Sequence, residues 1–275
     1  MSNLLILASE SETEEQRFEE YFDEIDSKSL ADVLIDVKSS ERSEVLVDGE
    51  PMAEWSSVYI KPEPKAFNYT RVLMEIVNEQ EIRCNLDPSS VFILTKKPYL
   101  FKVLADREVK IPTQVSISTE KGMTELQKDV DFTVIAKKYS GLELKETKIF
   151  DDFDDLKAFA ELTEHGEDFL MIQEKIEGSV FDILYVDGNI ISLKVEGSPW
   201  SESEEVSRSY HSISDAQREE VEKAVESIGT NICRIRMVNE KIMDMDTNPE
   251  LEMFKQKSGK NVYGRIADSL KGDQE

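Results

Sequence analysis

Three side chains that carry oxygen ligands lie two residues apart near the end of the chain: Asp244, Asp246 and Asn248. Side chains of a β-strand alternate between its two faces, so a strand here would bring all three to one face. Proteins usually hold Mg²⁺ through one or two carboxylates, completed by water and nucleotide phosphates. The spacing therefore predicts a Mg²⁺ site on one face of a strand. A half-buried edge strand with a solvated acidic face fits the same spacing.

The charge of the chain limits its partners. It has 58 acidic and 33 basic residues, a formal net charge of −25 at pH 7. This excess repels DNA, RNA and anionic membranes, because their binding normally depends on lysine and arginine neutralising phosphates. We therefore expect no nucleic-acid and no membrane partner, and an anionic small substrate would need a local cluster of lysines. A salt-rich cytoplasm would screen the self-repulsion, and an acidic protein of an ordinary cytoplasm is the alternative.

Composition indicates a soluble cytoplasmic protein. The 275 residues, 39% of them hydrophobic, suffice for a sizeable core, and the length favours about two domains. No apolar run reaches the roughly 18 residues of a membrane span, and the N-terminus lacks the basic segment of a signal peptide. Cys84 and Cys233 have no metal-ligand spacing, which favours buried thiols over a disulfide or a zinc site. With only His165 and His211, a histidine-rich metal centre is excluded.

The first third of the chain alternates short apolar segments with segments of helical spacing. The predicted strands are residues 4–8, 31–37 and 56–60, and the predicted helices are residues 13–25 and 69–78. Strands that alternate with helices usually form a parallel sheet that is covered on both faces.

Local signals predict the elements of the remaining two thirds. Asp187-Gly188 between two apolar segments is a strong hairpin signal. Ser214 and Gln217 have the spacing of a capping box, and Gly229 is a typical helix end. The predicted strands are residues 132–136, 169–172, 182–186 and 189–194; the predicted helices begin near Pro88 and span residues 97–106, 153–162, 217–228 and 261–270.

Six short motifs follow one another along the chain. They are Asn85-Leu-Asp-Pro-Ser-Ser90, Lys96-Lys97 at a helix start, Ile111-Pro112-Thr113, Lys137-Lys138 in a strand, Gln173-Glu174-Lys175-Ile176 before a hairpin, and Asp246-Thr-Asn248-Pro249. In this order the six motifs resemble the ATP-grasp superfamily, and most closely the RimK-like glutamate ligases and the related ATP-grasp peptide-maturation ligases. Each motif alone is common, but the six together cover most of the chain.

This resemblance implies an α/β fold with three parts. Residues 1–110 would form an N-terminal domain with a parallel sheet, residues 111–176 a small α+β lid, and residues 177–275 a C-terminal catalytic subdomain with a mixed sheet. ATP and Mg²⁺, or Mn²⁺ in its place, would be the cofactors, bound between the lid and the C-terminal subdomain.

The resemblance also assigns nucleotide-binding roles. Lys97 and Lys137 match the two family lysines that reach the phosphates from opposite sides of the cleft, where compact point charges suit a polyphosphate. The alternative is a solvated surface position for both. The residues that match the adenine-binding segment are Gln173, Glu174, Lys175 and Ile176.

Three further roles concern the acidic and arginine residues. Asp246 and Asn248 match the family's Mg²⁺ ligands, and Asp244 lies on the same strand face. Asp182 matches an acidic residue of the nucleotide site, although an ordinary aspartate at a strand start fits as well. Arg208 is a candidate for stabilising the transferred phosphoryl group, and the alternative is a surface arginine.

Two positions depart from the family pattern. RimK-like ligases usually carry a further acid about a dozen residues before the metal-binding pair, where this chain has Arg234, so one metal ligand is expected to be missing. Asp244 is the residue that would compensate. The loop after the second lysine has only Gly141 to let backbone N–H groups approach phosphates.

The resemblance implies an ADP-forming carboxylate–amine ligase that acts through an acylphosphate. Its carboxylate and amine substrates would be small molecules or peptides. Two alternatives remain open: a degenerate ATP-grasp protein that binds nucleotide or a partner without ligation, and a non-enzymatic acidic interaction protein in which the lysine pairs are incidental.

Overall fold

The computed structural model describes residues 2–8, 11–37, 43–62, 66–118, 120–126, 133–160, 168–200 and 206–272. Strands of the described residues are β1 (Asn3–Leu7), β2 (Glu24–Lys28), β3 (Val33–Asp36), β4 (Glu44–Val47), β5 (Glu50–Pro51), β6 (Ser57–Ile60), β7 (Arg83–Cys84), β8 (Gln114–Ile117), β9 (Val134–Ser140), β10 (Glu143–Phe150), β11 (Asp168–Glu174), β12 (Val180–Val186), β13 (Asn189–Glu196), β14 (Ser207–Tyr210), β15 (Ile232–Val238) and β16 (Lys241–Asp246). The helices are α1 (Ser11–Phe18), α2 (Phe67–Glu79), α3 (Pro88–Thr95), α4 (Lys97–Asp106), α5 (Glu120–Leu126), α6 (Phe153–Ala160), α7 (Asp215–Ile228), α8 (Leu251–Ser258) and α9 (Val262–Lys271).

A four-stranded parallel sheet lies at the centre of the first part of the chain. Its strand order is β2-β1-β6-β7, and each neighbouring pair is parallel. β1 lies inside this sheet with both faces covered, which explains why its sequence is almost wholly apolar. One face packs against α2, and the other packs against α1 and α9. The predicted parallel sheet is confirmed.

The helix predicted at residues 13–25 is wrong in its second half. α1 ends at Phe18, and residues 24–28 form β2, an edge strand parallel to β1. Main-chain hydrogen bonds with β1 and the buried side chain of Phe22 between the two elements favour the strand. These tertiary contacts outweigh a local preference for helix that is worth only a few tenths of a kcal/mol per residue.

The second sheet is antiparallel, with the order β10-β9-β11-β8, and we call it the lid sheet. Leu156 and Phe159 of α6 pack on its outer face. Because strand side chains alternate, β9 turns Ile135, Lys137 and Tyr139 to the opposite, inner face. The predicted strand start at Phe132 and the predicted helix end at Leu162 lie outside the described residues.

The third sheet has the order β14-β13-β12-β15-β16 and is antiparallel throughout. We call it the C-terminal sheet. The mixed sheet expected for this part is therefore wrong. Short turns join β12 to β13 at Asp187-Gly188 and β15 to β16 at Asn239-Glu240, and parallel strands would need a crossover of a dozen or more residues. A fourth, small antiparallel sheet, β3-β4-β5, lies beside α2.

Helices close both faces of the C-terminal sheet. α7 begins with the predicted capping box of Ser214 and Gln217 and ends at Gly229, which has the left-handed φ of 74° that glycine tolerates. α3, α4 and α7 pack together against one face, so α4 shares its core with the C-terminal sheet and not with the parallel sheet. The expected domain boundaries near residues 110 and 176 remain predictions. Across the described ranges, no helix is both long and apolar enough to cross a membrane.

Candidate nucleotide site

A row of charged side chains crosses one face of the C-terminal sheet. Asp182 on β12 lies opposite Arg236 on β15, which lies opposite Asp244 on β16. Arg234 and Asp246 are partners two residues further along the same two strands, and therefore lie on the same face. Antiparallel register thus brings together residues that are more than 50 positions apart in sequence.

At one end of the row, Asp182 is fully buried between two arginines. Arg236 donates from Nε to Oδ1 at 2.8 Å and from Nη2 to Oδ2 at 3.2 Å, and Arg208 donates from Nε to Oδ2 at 2.8 Å. Burial by itself would raise the pKa of this carboxyl, but the two guanidinium groups hold the pKa below its ordinary value. We call Asp182, Arg208 and Arg236 the Asp182 cluster.

At the other end, Lys97 reaches Asp244 from the first turn of α4. Its Nζ donates to Asp244 Oδ1 at 2.8 Å and to the carbonyl oxygen of Met245 at 2.5 Å. Leu100, Phe101 and Leu104 anchor α4 on the C-terminal sheet and so fix the origin of the lysine. Burial would raise the pKa of Asp244, but Lys97, Lys137 and Arg234 hold the pKa well below its ordinary value.

Lys137 approaches the same place from the lid sheet. The residue is only 4% exposed, and its Nζ donates to the carbonyl oxygen of Met243 at 3.3 Å. Burial lowers the pKa of this lysine to about 8, and the carboxylate of Asp244 partly opposes the shift. A buried ammonium with one long hydrogen bond is a group with unused donor capacity.

Arg234 completes the Asp244 end of the row. Its Nη2 lies 3.4 Å from Asp246 Oδ2 and 3.9 Å from Asp244 Oδ2. Burial would lower its pKa, but the two carboxylates raise it, so the guanidinium is a permanent charge. We call Lys97, Lys137, Arg234, Asp244 and Asp246 the Asp244 cluster. Together the two clusters contain five cations and three carboxylates, an excess of two positive charges in a chain of net charge −25.

A cavity of about 270 Å³ opens onto the Asp244 cluster. Its charged wall contains Lys97, Arg234, Asp244 and Asp246, with Asn248 beside them. The β9–β10 turn of the lid sheet adds Tyr139, Leu142, Leu144 and Glu143, which pairs with Lys145, and the parallel-sheet region adds Pro62 and Phe67. The cavity therefore lies between the lid sheet, the C-terminal sheet and the parallel-sheet region.

Solved structures with a similar fold are known. No protein-family model and no curated protein sequence matches the chain. The ATP-grasp ligase PsnB, solved with a minimal precursor, aligns over 98% of this chain and 97% of its own with a TM-score of 0.76 and 13% identity. The macrocyclase MdnC from Microcystis aeruginosa, bound with the precursor peptide MdnA, gives 0.72 at 10% identity over 99% of this chain and all of its own. A RimK-domain ATP-grasp protein from Sphaerobacter thermophilus gives 0.71 at 14% identity over 98% of this chain and all of its own.

The chain has the ATP-grasp fold. The fold expected from the six motifs is thereby confirmed over nearly the whole chain. Of the residues predicted to act in it, Lys97, Asp244, Asp246 and Asn248 line one cavity, and Lys137 is buried behind its wall, within electrostatic reach of Asp244 and Lys97. Lys97 and Lys137 are not surface lysines, since the side chain of Lys97 is 12% exposed.

The other predicted residues lie outside the cavity wall. Asp182 and Arg208 bind each other in the Asp182 cluster, so Arg208 is not a free surface arginine. Gln173 is buried beside Lys137, and its Nε2 donates to the carbonyl oxygen of Met243 at 3.4 Å. Glu174 accepts hydrogen bonds from the Thr113 N–H and from Lys241, of which the first contributes most to its lowered pKa. Lys175 pairs with Glu177, and Ile176 contacts the apolar cluster between the lid and C-terminal sheets.

Two arginines of the clusters are not among the residues that the motifs assign to the site. Arg236 belongs to none of the six motifs, and at Arg234 the resemblance indicates only a missing metal ligand. Their shared signal is the alternation Arg234-Ile-Arg236 in a strand, which matches the alternation Asp244-Met-Asp246 in the next strand. Opposite charges on two strands joined by a short turn indicate cross-strand ion pairs.

Proposed function

We propose that this chain is an ATP-dependent ligase that joins a carboxylate to an amine. ATP would bind between the lid sheet and the C-terminal sheet, with its phosphates at the Asp244 cluster. The observation that carries the proposal is the convergence of Lys97 and Lys137, from two different parts of the chain, on neighbouring residues of β16 beside a cavity.

Electrostatics supports a polyphosphate at this position. A chain of net charge −25 repels anions in general, and its two charged clusters are a local exception with more cations than carboxylates. Lysine ammonium groups are compact point charges that suit phosphate oxygens. The unused donors of Lys137 become satisfied when a phosphate oxygen arrives, which offsets part of the cost of burying this charge.

The residues present fit one Mg²⁺. Asp246 is 36% exposed at its side chain, and Asn248 lines the same cavity. A carboxylate and an amide oxygen, with phosphate oxygens and water, are an ordinary Mg²⁺ set, and Mn²⁺ accepts the same ligands. Asp244 is the weaker candidate because Lys97 occupies its Oδ1. No group of three His, Cys, Asp or Glu side chains that could hold a metal occurs in the described ranges. A bound ion would neutralise phosphate charge.

In the reaction that we propose, a carboxylate oxygen of the substrate attacks the γ-phosphorus of ATP, and ADP leaves. The nitrogen of the amine then attacks the acylphosphate carbon; the amine loses a proton, phosphate leaves, and an amide bond remains. Lys97 and Lys137 neutralise the charge that moves between the phosphate oxygens. Arg208, which Asp182 holds outside the cavity wall, is the candidate for stabilising the transferred phosphoryl group. The protein contributes positioning and charge and needs no covalent nucleophile.

A peptide is the substrate class that the comparisons favour. PsnB was solved with a precursor peptide and with Mg and ADP, and MdnC with its own precursor peptide. We extend this to the present chain and propose that a peptide supplies at least one of the two reacting groups. A cytoplasmic location is part of the proposal, because Cys84 and Cys233 are free thiols, as in reducing compartments.

A second candidate function is nucleotide binding without ligation. The specific observation in its favour is Arg234, which pairs with the carboxylate that would hold the ion. Both candidates predict ATP binding, but only a ligase releases ADP in proportion to a new amide bond.

The test is ADP release in the presence of Mg²⁺ and a pool of peptides and amino acids, with the products read by mass spectrometry. A ligase yields a product lighter by one water than its two substrates combined, or a peptide lighter by one water if the bond is internal. Lys97→Met should abolish both signals, and Lys96→Met should not, because Lys96 is the exposed neighbour of Lys97 on the same helix start. ATP binding without any such product would favour the second candidate.

A further inference from the structure

We propose that the Arg234 guanidinium stands in for a metal ion at the phosphate end of the cavity. ATP would then bind this chain with at most one Mg²⁺, and would still bind when Mg²⁺ is withheld. The inference rests on the proposed nucleotide site. It adds a statement of which groups balance the negative charge of the triphosphate.

The position of Arg234 is fixed by the sheet. It lies on β15, between β12 and β16 of the C-terminal sheet, directly opposite Asp246. Its side chain is 19% exposed, lines the cavity, and lies within 4 Å of both carboxylates of the cluster. An arginine in a central strand cannot withdraw from the cavity without breaking these pairs, so its charge is preorganised for an anion.

The carboxylates of the cluster have little capacity left for metal ions. Asp244 gives one oxygen to Lys97 and the Met245 N–H and faces Arg234 with the other. Asp246 accepts the Asn248 N–H at 2.7 Å on Oδ1 and faces Arg234 at 3.4 Å on Oδ2. Each ion needs carboxylate oxygens that are not already shared with cations, so the cluster can supply ligands for one ion and not for two.

The cations of the cluster replace the positive charge of a second metal ion. Lys97, Lys137 and Arg234 carry three positive charges, and Asp244 and Asp246 carry two negative charges, before any metal binds. A guanidinium offers two parallel N–H donors to a phosphate group and stays charged at every physiological pH. The cluster therefore has a net charge of +1, which attracts free ATP, whereas without Arg234 its net charge would be zero.

The experiment is calorimetric titration of ATP into the full chain, once with Mg²⁺ and once with EDTA. We expect a Kd in EDTA within about tenfold of the Kd with Mg²⁺. Arg234→Met should weaken binding in EDTA by at least tenfold and binding with Mg²⁺ by clearly less. Arg234→Lys, which keeps the charge, should retain most of the EDTA affinity and guards against a folding defect in the methionine variant.

A second readout counts the ions. Titration of Mn²⁺ into the ATP-saturated chain, followed by electron paramagnetic resonance, should give one bound Mn²⁺ per chain. Two bound Mn²⁺, or ATP binding with Mg²⁺ that disappears in EDTA, would overturn the role of Arg234 and leave the proposed function intact. Absence of ATP binding under both conditions would overturn the proposed function as well.

Discussion

The Asp182 cluster and the Asp244 cluster lie on the same face of the same sheet but differ in what satisfies their charges. Asp182 has both oxygens saturated by Arg208 and Arg236 and has no access to solvent. The Asp244 cluster opens onto the cavity, and its Lys137 makes one long hydrogen bond to a carbonyl oxygen. Saturated ion pairs hold the strands and an arginine in place, while the Asp244 cluster contains one buried ammonium, that of Lys137, with unused donors.

The largest expected effect on stability comes from removing the carboxylate of the Asp182 cluster. Asp182→Ala leaves Arg208 and Arg236 facing each other without a counter-charge, and removing one partner of a buried ion pair costs about 3–5 kcal/mol. Urea unfolding should show this loss. The control Asp106→Asn, on the exposed end of α4, should change the unfolding free energy by less than about 1 kcal/mol. If Asp182→Ala lowered the unfolding free energy by as little as the control does, Asp182 would not stabilise the fold as a saturated ion pair should.

In the Asp244 cluster, removal of a charged side chain should raise the stability of the protein. Lys137→Met removes a buried charge whose pKa falls from 10.5 to about 8, so the variant should be more stable than the wild type by about 1–3 kcal/mol at pH 7. ATP binding should weaken in the same variant. Lys138→Met is the matched control, because Lys138 lies on the other face of β9 over the ring of Phe159. A Lys137→Met protein that is less stable and binds ATP normally would contradict a ligand role for this lysine.

The same lysine predicts how stability depends on pH. Its folded pKa lies below its unfolded pKa, so between pH 8 and about 10.5 the unfolded chain binds more protons than the folded chain. The cost of the buried charge is therefore fully present below pH 8 and disappears as the pH rises to about 10.5. The stability advantage of Lys137→Met should shrink across this window in unfolding curves. A stability difference that stays constant from pH 8 to about pH 10.5 would show that Lys137 does not titrate in this range.

A smaller effect concerns nucleotide binding at alkaline pH. If phosphate binding requires protonated Lys137, the ATP affinity should fall by about tenfold between pH 7 and pH 9, since one pH unit above the pKa leaves about a tenth of the lysine charged. Calorimetry at both pH values measures this. Lys137→Met should bind ATP weakly, with little change in affinity between pH 7 and pH 9. A wild-type affinity that is the same at both pH values would contradict the requirement for a protonated Lys137.

How well the sequence predicts each structural feature depends on the sequence separation of the residues that determine it. Local signals sufficed for the hairpin at Asp187-Gly188, for the cap at Ser214 and for the end of α7 at Gly229, because a few neighbouring residues determine them. The edge strand Glu24–Lys28 depends on a partner strand, and its acidic, helix-like sequence hides it.

The candidate site shows the same limit. The ordered motifs suggested Lys97, Lys137 and Asp246, and the structure brings them together. The pairing of Arg236 with Asp182 bridges 54 positions and depends on the register of β12 and β15, which no local pattern specifies. The role of Arg234 required knowing that its strand neighbour is the strand of Asp246.

The most direct measurement is calorimetric titration of Mg·ATP into the wild-type chain and into two double variants. Lys97→Met with Lys137→Met should abolish detectable binding, because each charge-assisted contact contributes about 1.5–3 kcal/mol and each 1.4 kcal/mol is tenfold in Kd. Lys96→Met with Lys138→Met, which removes the same total charge from neighbouring positions, should bind as the wild type does. Equal binding by both double variants would contradict a phosphate site at the Asp244 cluster.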